Sequence, residues 1–213
     1  MYLILTTSLR NRAYSEYSED RLARYRQAIQ DTLRWIPEDV QPIVVENNGH
    51  GPRKTGLEGF QHAGKEVPVV YTQNNERLYR NKGVNELLDL HEVIRQRGIK
   101  DDEVVIKLTG RYRMLSSKMV EVVRATSASY DVWMKFMNVC HGVYDPNDCV
   151  LGCYAMRASY LKGLSASWMN RYESPERGMA RYVRTSFVTG RIAEMESLDV
   201  ECLFSQDGRV SIV

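Results

Sequence analysis

The chain has no apolar run approaching the ~20 residues that a membrane-crossing helix requires, and none is expected to span a bilayer. Charge of one sign is also missing: 29 Lys and Arg stand against 27 Asp and Glu, a net +2. So small an excess provides no electrostatic case for nucleic acid or a membrane surface as partner. No G-x-G-x-x-G follows the first strand and no P-loop occurs, which counts against the commonest dinucleotide and NTP sites. Cysteine is sparse. Cys140, Cys149, Cys153 and Cys202 form no paired metal-ligand pattern, and buried reduced thiols in a cytoplasmic compartment are the expectation. The amino terminus, Met1 to Thr6, is too short for a signal peptide and reads as a strand.

What is present is an ordinary globular composition, 43% hydrophobic and 26% charged over 213 residues, enough for one domain over 1–213 with a sizeable core. The final Arg209-Val210-Ser211-Ile212-Val213 is apolar without a polar tail and reads as a domain cut from a longer chain. Strand and helix signals alternate over the first ~125 residues, the pattern of an α/β sandwich with a mostly parallel sheet. Strands are expected over 1–7, 42–46, 67–71 and 103–108. Leu22, Tyr25, Ile29, Leu33 and Ile36 repeat at three and four residues, predicting a helix over 20–36 with Asp20 as cap and Pro37 as stop. Helices are also expected over 83–97 and 117–125, and a loop with a short helix over 50–66. Beyond residue 125 the pattern loosens. Strands are expected at 131–136 and 149–155, a helix over 175–187 capped by Ser174 with Pro175 in its first turn, and short strands around Asp207-Gly208.

Polar loops close three of the strands. Val44-Val45-Glu46 runs into Asn47-Asn48-Gly49, where a carboxylate or amide could accept the N3–H of a uracil ring, or the segment is a plain turn. Arg77, Arg80, Asn81 and Lys82 precede a helix with Gly83 in its first turn, an arrangement that suits an anion. Lys107, Thr109, Gly110, Arg111 and Arg113 surround the end of the 103–108 strand, where cations could neutralise a diphosphate, although a strand-end lysine also snorkels. In an open α/β sheet such loops gather at the carboxyl ends of the strands, where ligands bind.

Together these pieces resemble the GT-A class of nucleotide-sugar glycosyltransferases. The resemblance rests on Thr6-Thr7-Ser8, on Val44 through Gly49, and on Asn74 through Gly83 with its Arg80-Asn81-x-Gly83 element. It covers roughly residues 1–115. It implies a Rossmann-like α/β/α sandwich that binds a UDP-sugar donor, with Thr6, Ser8, Glu46, Arg77, Arg80, Asn81 and Gly83 at the nucleotide. Lys107, Thr109, Gly110 and Arg111 would lie at the diphosphate, and a carbohydrate hydroxyl would be the acceptor. The likeness extends to the amino-terminal domains of chlorella-virus glycosyltransferases that decorate a capsid, which would place the reaction in the host cytoplasm.

The class usually carries an Asp-x-Asp that holds Mn²⁺ or Mg²⁺ at the donor diphosphate. Here that position reads Leu108-Thr109-Gly110-Arg111. Asp101-Asp102 stand at the other end of the strand, roughly 20 Å away at ~3.3 Å per residue. A metal would therefore need His141, Asp145 and Asp148, a segment that also has the composition of a turn. Inverting members of the class place a base late in the chain at a helix start, which points to Glu173 and then Glu176. Acidic residues also favour helix starts for dipole reasons alone. Trp133, Trp168 and Tyr172 are candidates to stack on sugars, Trp133 more readily as core. Two other readings fit the same residues: another nucleotide-dependent enzyme on a doubly wound sheet, and a non-catalytic nucleotide-sugar-binding module.

Overall fold

The computed structural model describes residues 1–9, 19–48, 53–74, 79, 81–203 and 209–213. Its centre is a seven-stranded sheet: β1 (Tyr2–Thr7), β2 (Gln41–Asn47), β5 (Val69–Thr72), β6 (Val104–Thr109), β8 (Val132–Met134), β9 (Cys153–Arg157) and β10 (Ile192–Glu194). The spatial order is β10-β8-β9-β6-β1-β2-β5. β6, β1, β2 and β5 are mutually parallel, as are β8 and β10. β9 runs antiparallel to both of its neighbours. The sheet is mostly parallel, as the alternating pattern predicted.

Period-two alternation sends side chains to two cores. Leu3, Leu5, Val44, Ile106 and Leu108 face α1 (Glu19–Leu33) and α3 (Lys118–Thr126). Ile4, Ile43, Val45 and Val105 face α2 (Lys82–Gln96), α4 (Ala158–Gly163), α5 (Ala166–Met169) and α6 (Pro175–Ser186). The result is three layers. Trp133 is wholly buried in the first core. Cys149, Cys153 and Cys202 are buried thiols and Cys140 an exposed one, all free. Among the described residues no helix is long and apolar enough to cross a membrane.

Several expectations are corrected. Residues 61–66 form a hairpin, β3 (Gln61–His62) with β4 (Lys65–Glu66), where a short helix was expected; Gly64 supplies the left-handed turn at φ 72°. The strand expected at 149–155 begins at Cys153, because residues 149–152 turn to bring Leu151 under α2. β10, α4 and α5 were not foreseen. A second sheet, β12-β11-β7, joins β11 (Val200–Leu203) and β12 (Val210–Ile212) to β7 (Arg113–Met114). It anchors the end of the chain to the loop that leaves β6. The Asp207-Gly208 turn lies outside the described residues.

Candidate active site

The carboxyl ends of β1, β2, β5 and β6 lie side by side. Since β9 is antiparallel, its incoming loop (144–152) arrives at the same edge. The chain reverses direction of growth between β1 and β6, and this switch point is where an open sheet leaves a crevice.

Three cations from three elements converge there. Burial first, and then the charges of Arg21 on α1 and Arg111 after β6, pull the Lys82 ammonium below the ordinary lysine range, with Glu86 opposing. Burial also opposes the Arg111 charge, but Tyr25, Tyr112 and Glu86 outweigh it and the guanidinium pKa ends raised. Arg111 Nε donates to Leu203 O at 2.7 Å, so the second sheet fixes where this guanidinium stands. Arg21 packs over the Tyr25 ring at 5.8 Å. Arg21 escaped sequence reasoning because it precedes the apolar stripe of α1. Its place at the second position of the expected helix, just after a strand-to-helix loop, was the available signal.

Lys82 opens α2, whose first turn holds no acidic residue. Asn81 caps that turn: its Oδ1 accepts from Gly83 N at 3.0 Å, satisfying one of the free amides of a helix start. The glycine at 83 is a packing requirement. A Cβ there would lie 2.7 Å from Pro175 Cβ and 2.8 Å from Leu151 Cδ2. The amino ends of α2 and α6 therefore meet at this point, on the edge where the cations gather. Gly110 is likewise internal. Its amide donates to Thr6 O at 2.8 Å, and a Cβ would fall 2.6 Å from Thr7 Cγ2.

Two expected ligands turn out to be spent on the scaffold. Glu46 is 0% exposed; its carboxylate accepts from the Thr7 hydroxyl and from Leu9 N at 2.9 Å. Burial pushes its pKa up despite these bonds. It braces the exit of β1 from below, and a base cannot reach it. Lys107 is 1% exposed. Its Nζ meets Glu86 Oε2 at 2.5 Å, Thr109 Oγ1 at 2.8 Å and Leu151 O at 3.1 Å. An ammonium has three N–H groups, and all three are used. Lys107 thus secures α2 and the 149–152 turn instead of facing a diphosphate. Ser8 Oγ donates to Asn47 O at 3.1 Å, and Thr6 is buried with an unpartnered hydroxyl. Arg77 and Arg80 lie outside the described residues.

The two candidate bases separate clearly. The Glu173 side chain is 83% exposed and pairs with Arg177 at 3.4 Å. Glu176 is turned inward, and burial, reinforced by Asp148 and Glu86, raises its pKa against the opposing Ser174 hydroxyl. Ser174 caps α6 through Arg177 N at 3.2 Å, which sets the helix start and so the place of Glu176.

His141, Asp145 and Asp148 do not assemble. Asp145 Oδ1 accepts from Asn147 N at 2.9 Å, closing its own turn. Asp148 is buried with Oδ1 on Cys149 N at 2.8 Å, and His141 is exposed. Among the described residues no group of three or more His, Cys, Asp or Glu is placed to hold a metal. This donor set does not fit Mn²⁺ or Mg²⁺.

No protein-family model matches the chain, and no curated protein matches it in sequence. Solved structures do. A protein assigned as a nucleotide-diphospho-sugar transferase, from Desulfovibrio desulfuricans G20, is similar over 91% of this chain and 78% of its own, with TM-score 0.54 and 9% identity. A197 from STIV is similar over 99% and 92%, with TM-score 0.50 and 9% identity. The fold is GT-A-like. At such identity the likeness is one of fold.

Proposed function

We propose that the chain is a glycosyltransferase that moves a hexose or deoxyhexose from a UDP-sugar to a carbohydrate hydroxyl on a glycoprotein glycan, with inversion. The observation that carries this reading is the convergence of Arg21, Lys82 and Arg111 beside the amino end of α2, at the carboxyl edge of a GT-A-like sheet. Cations gathered at one place favour an anion there. A helix start free of acidic residues adds oriented N–H groups to the same place. The similarity in fold to a protein assigned as a nucleotide-diphospho-sugar transferase supports a diphosphate as that anion.

In this reaction the bond from the anomeric carbon to the acceptor oxygen forms as its bond to the diphosphate breaks. The electron pair leaves with UDP, and Arg21, Lys82 and Arg111 stabilise the charge that develops there. The acceptor proton goes to Glu176, whose raised pKa makes it a stronger base than an exposed carboxylate. No step is routed through a metal. Calorimetric titration of UDP in EDTA and then with Mn²⁺ tests the reading. Equal binding in both supports the cation cluster, binding only with Mn²⁺ replaces it by a metal centre, and no binding in either condition removes the donor class. Donor hydrolysis or transfer then separates an enzyme from a binding module.

A further inference from the structure

One buried anion ties together the outer strand ends of the site. Asp89 lies on the sheet side of α2 and is 1% exposed. Its Oδ2 accepts from Asn47 Nδ2 at 2.8 Å. Its Oδ1 accepts from Thr72 Oγ1 at 2.6 Å and from Asn74 Nδ2 at 3.3 Å. Asn47 and Thr72 end β2 and β5 and are paired in register. Asn74 begins the segment that leads to Asn81.

The second amide hydrogen of Asn74 is also engaged, since Nδ2 reaches Glu92 Oε2 at 3.2 Å. Two carboxylates one helical turn apart on α2 therefore take both N–H groups of a single amide. An ionised carboxylate only accepts, so a flipped amide would set its oxygen against two acceptors. The orientation of Asn74 is forced, and its Oδ1 faces away from Asp89 and Glu92. Asn74 is half-buried, so this acceptor stands where a ligand can meet it. β5 lies three strands from β6, about 14 Å at ~4.8 Å per strand. That offset separates Asn74 from the cations at the diphosphate position as a base is separated from its phosphates.

We propose that Asn74 reads the imide N–H of a uracil-type base through Oδ1, and that Asp89 and Glu92 are the positioning residues that hold its amide in the reading orientation. This rests on the nucleotide-donor reading above. It moves base recognition from Glu46, which is sealed beneath the site, to the end of β5. A cytosine ring presents a lone pair where uracil presents N3–H, so the fixed oxygen accepts uracil and repels cytosine. The device needs Asp89 ionised. Burial lifts its pKa to about 7, while the Thr72, Asn47 and Asn74 bonds oppose and Glu86 adds to the rise. The charged groups nearby are Glu86 and Glu92 on α2 itself. β2 contributes Glu46 and β5 contributes Tyr71, each adjacent to a partner of Asp89 and pointing to the opposite face. Below about pH 7 a protonated Asp89 can donate to the amide oxygen, and Glu92 alone then holds the orientation.

The test is calorimetric binding of UDP and CDP to the full chain and its variants at pH 8 and pH 6. The unaltered protein is expected to prefer UDP at least tenfold at pH 8 and less at pH 6. Asp89→Asn, which leaves Glu92 alone to oppose a flip of the amide, should narrow the preference for UDP at both pH values. Asn74→Ala, at a half-buried position, should weaken UDP about tenfold and leave CDP bound at least as tightly. Full UDP preference retained in Asn74→Ala overturns the assignment even if Asp89→Asn does not fold. A protein that binds neither nucleotide overturns the donor reading and this inference together. UDP preference that survives both changes overturns the inference alone.

Discussion

The Lys107 ammonium and the Glu86 carboxylate meet at 2.5 Å on the buried side of α2, with the lysine almost wholly enclosed and the glutamate open on one side. Their union explains how a charge can sit inside the sheet. Removing one partner strands the other, a larger loss than the pair itself contributes. Glu86→Ala is expected to cost about 3 kcal/mol in urea unfolding. Lys107→Met combined with Glu86→Gln should cost clearly less than the sum of the single changes, because no lone charge stays buried. Additive losses would show that the two side chains act independently.

Glu173 and Glu176 are three residues apart and should behave oppositely. Glu173→Gln removes one exposed ion pair, worth at most about 1 kcal/mol, and transfer should continue. Glu176→Gln should lower the transfer rate by about 10²- to 10⁴-fold with UDP affinity nearly unchanged. The sign of the pH dependence follows from the raised pKa of Glu176. The base is active when deprotonated, so the acidic limb of the rate profile should lie above the ordinary carboxylate range and disappear in Glu176→Gln. Transfer that persists in that variant would remove Glu176 as base.

The sheet was legible because β1, β2, β5 and β6 are continuous apolar runs ended by turn residues, a pattern that buried parallel strands produce. Ser174 and Pro175 announced the start of α6 by local chemistry alone. Glu46 and Lys107 were misread for one physical reason. A charged residue at a strand end looks the same in sequence whether it faces a ligand or pays for its burial with neighbours, and the neighbours (Leu9, Glu86, Leu151) come from elsewhere in the chain. Arg21 and Asp89 were missed for the converse reason. Each sits on a helix whose period marks it as polar surface, and only the packing of α1 and α2 over the sheet edge gives it partners. The hairpin at 61–66 is too short for alternation to register.

Gly83 shows how packing sets the site. Alanine has a helix propensity better than glycine by about 1 kcal/mol, so a Gly83→Ala change at an open position would stabilise α2. Here the new Cβ meets Pro175 and Leu151, and overpacking of this kind costs about 1–3 kcal/mol. The net expectation is a lower Tm, with UDP bound more weakly because the starts of α2 and α6 are forced apart. An unchanged Tm would mean that α6 yields without cost.

Arg21 is the residue on which the anion site most depends, being the cation contributed from the opposite layer of the sandwich. If a diphosphate lies between it, Lys82 and Arg111, Arg21→Ala should weaken UDP by about 1.5–3 kcal/mol, the scale of a hydrogen bond to a charged group. Two further consequences separate binding from folding. The loss should shrink as salt is raised, since screening already weakens the contact in the unaltered protein. The Lys82 pKa should rise in the free variant, because one of the two charges that depress it is gone. A nitrogen-detected NMR titration of Lys82 reads that shift directly. A Lys82 resonance that titrates identically with and without Arg21 would mean that the two cations do not share a site.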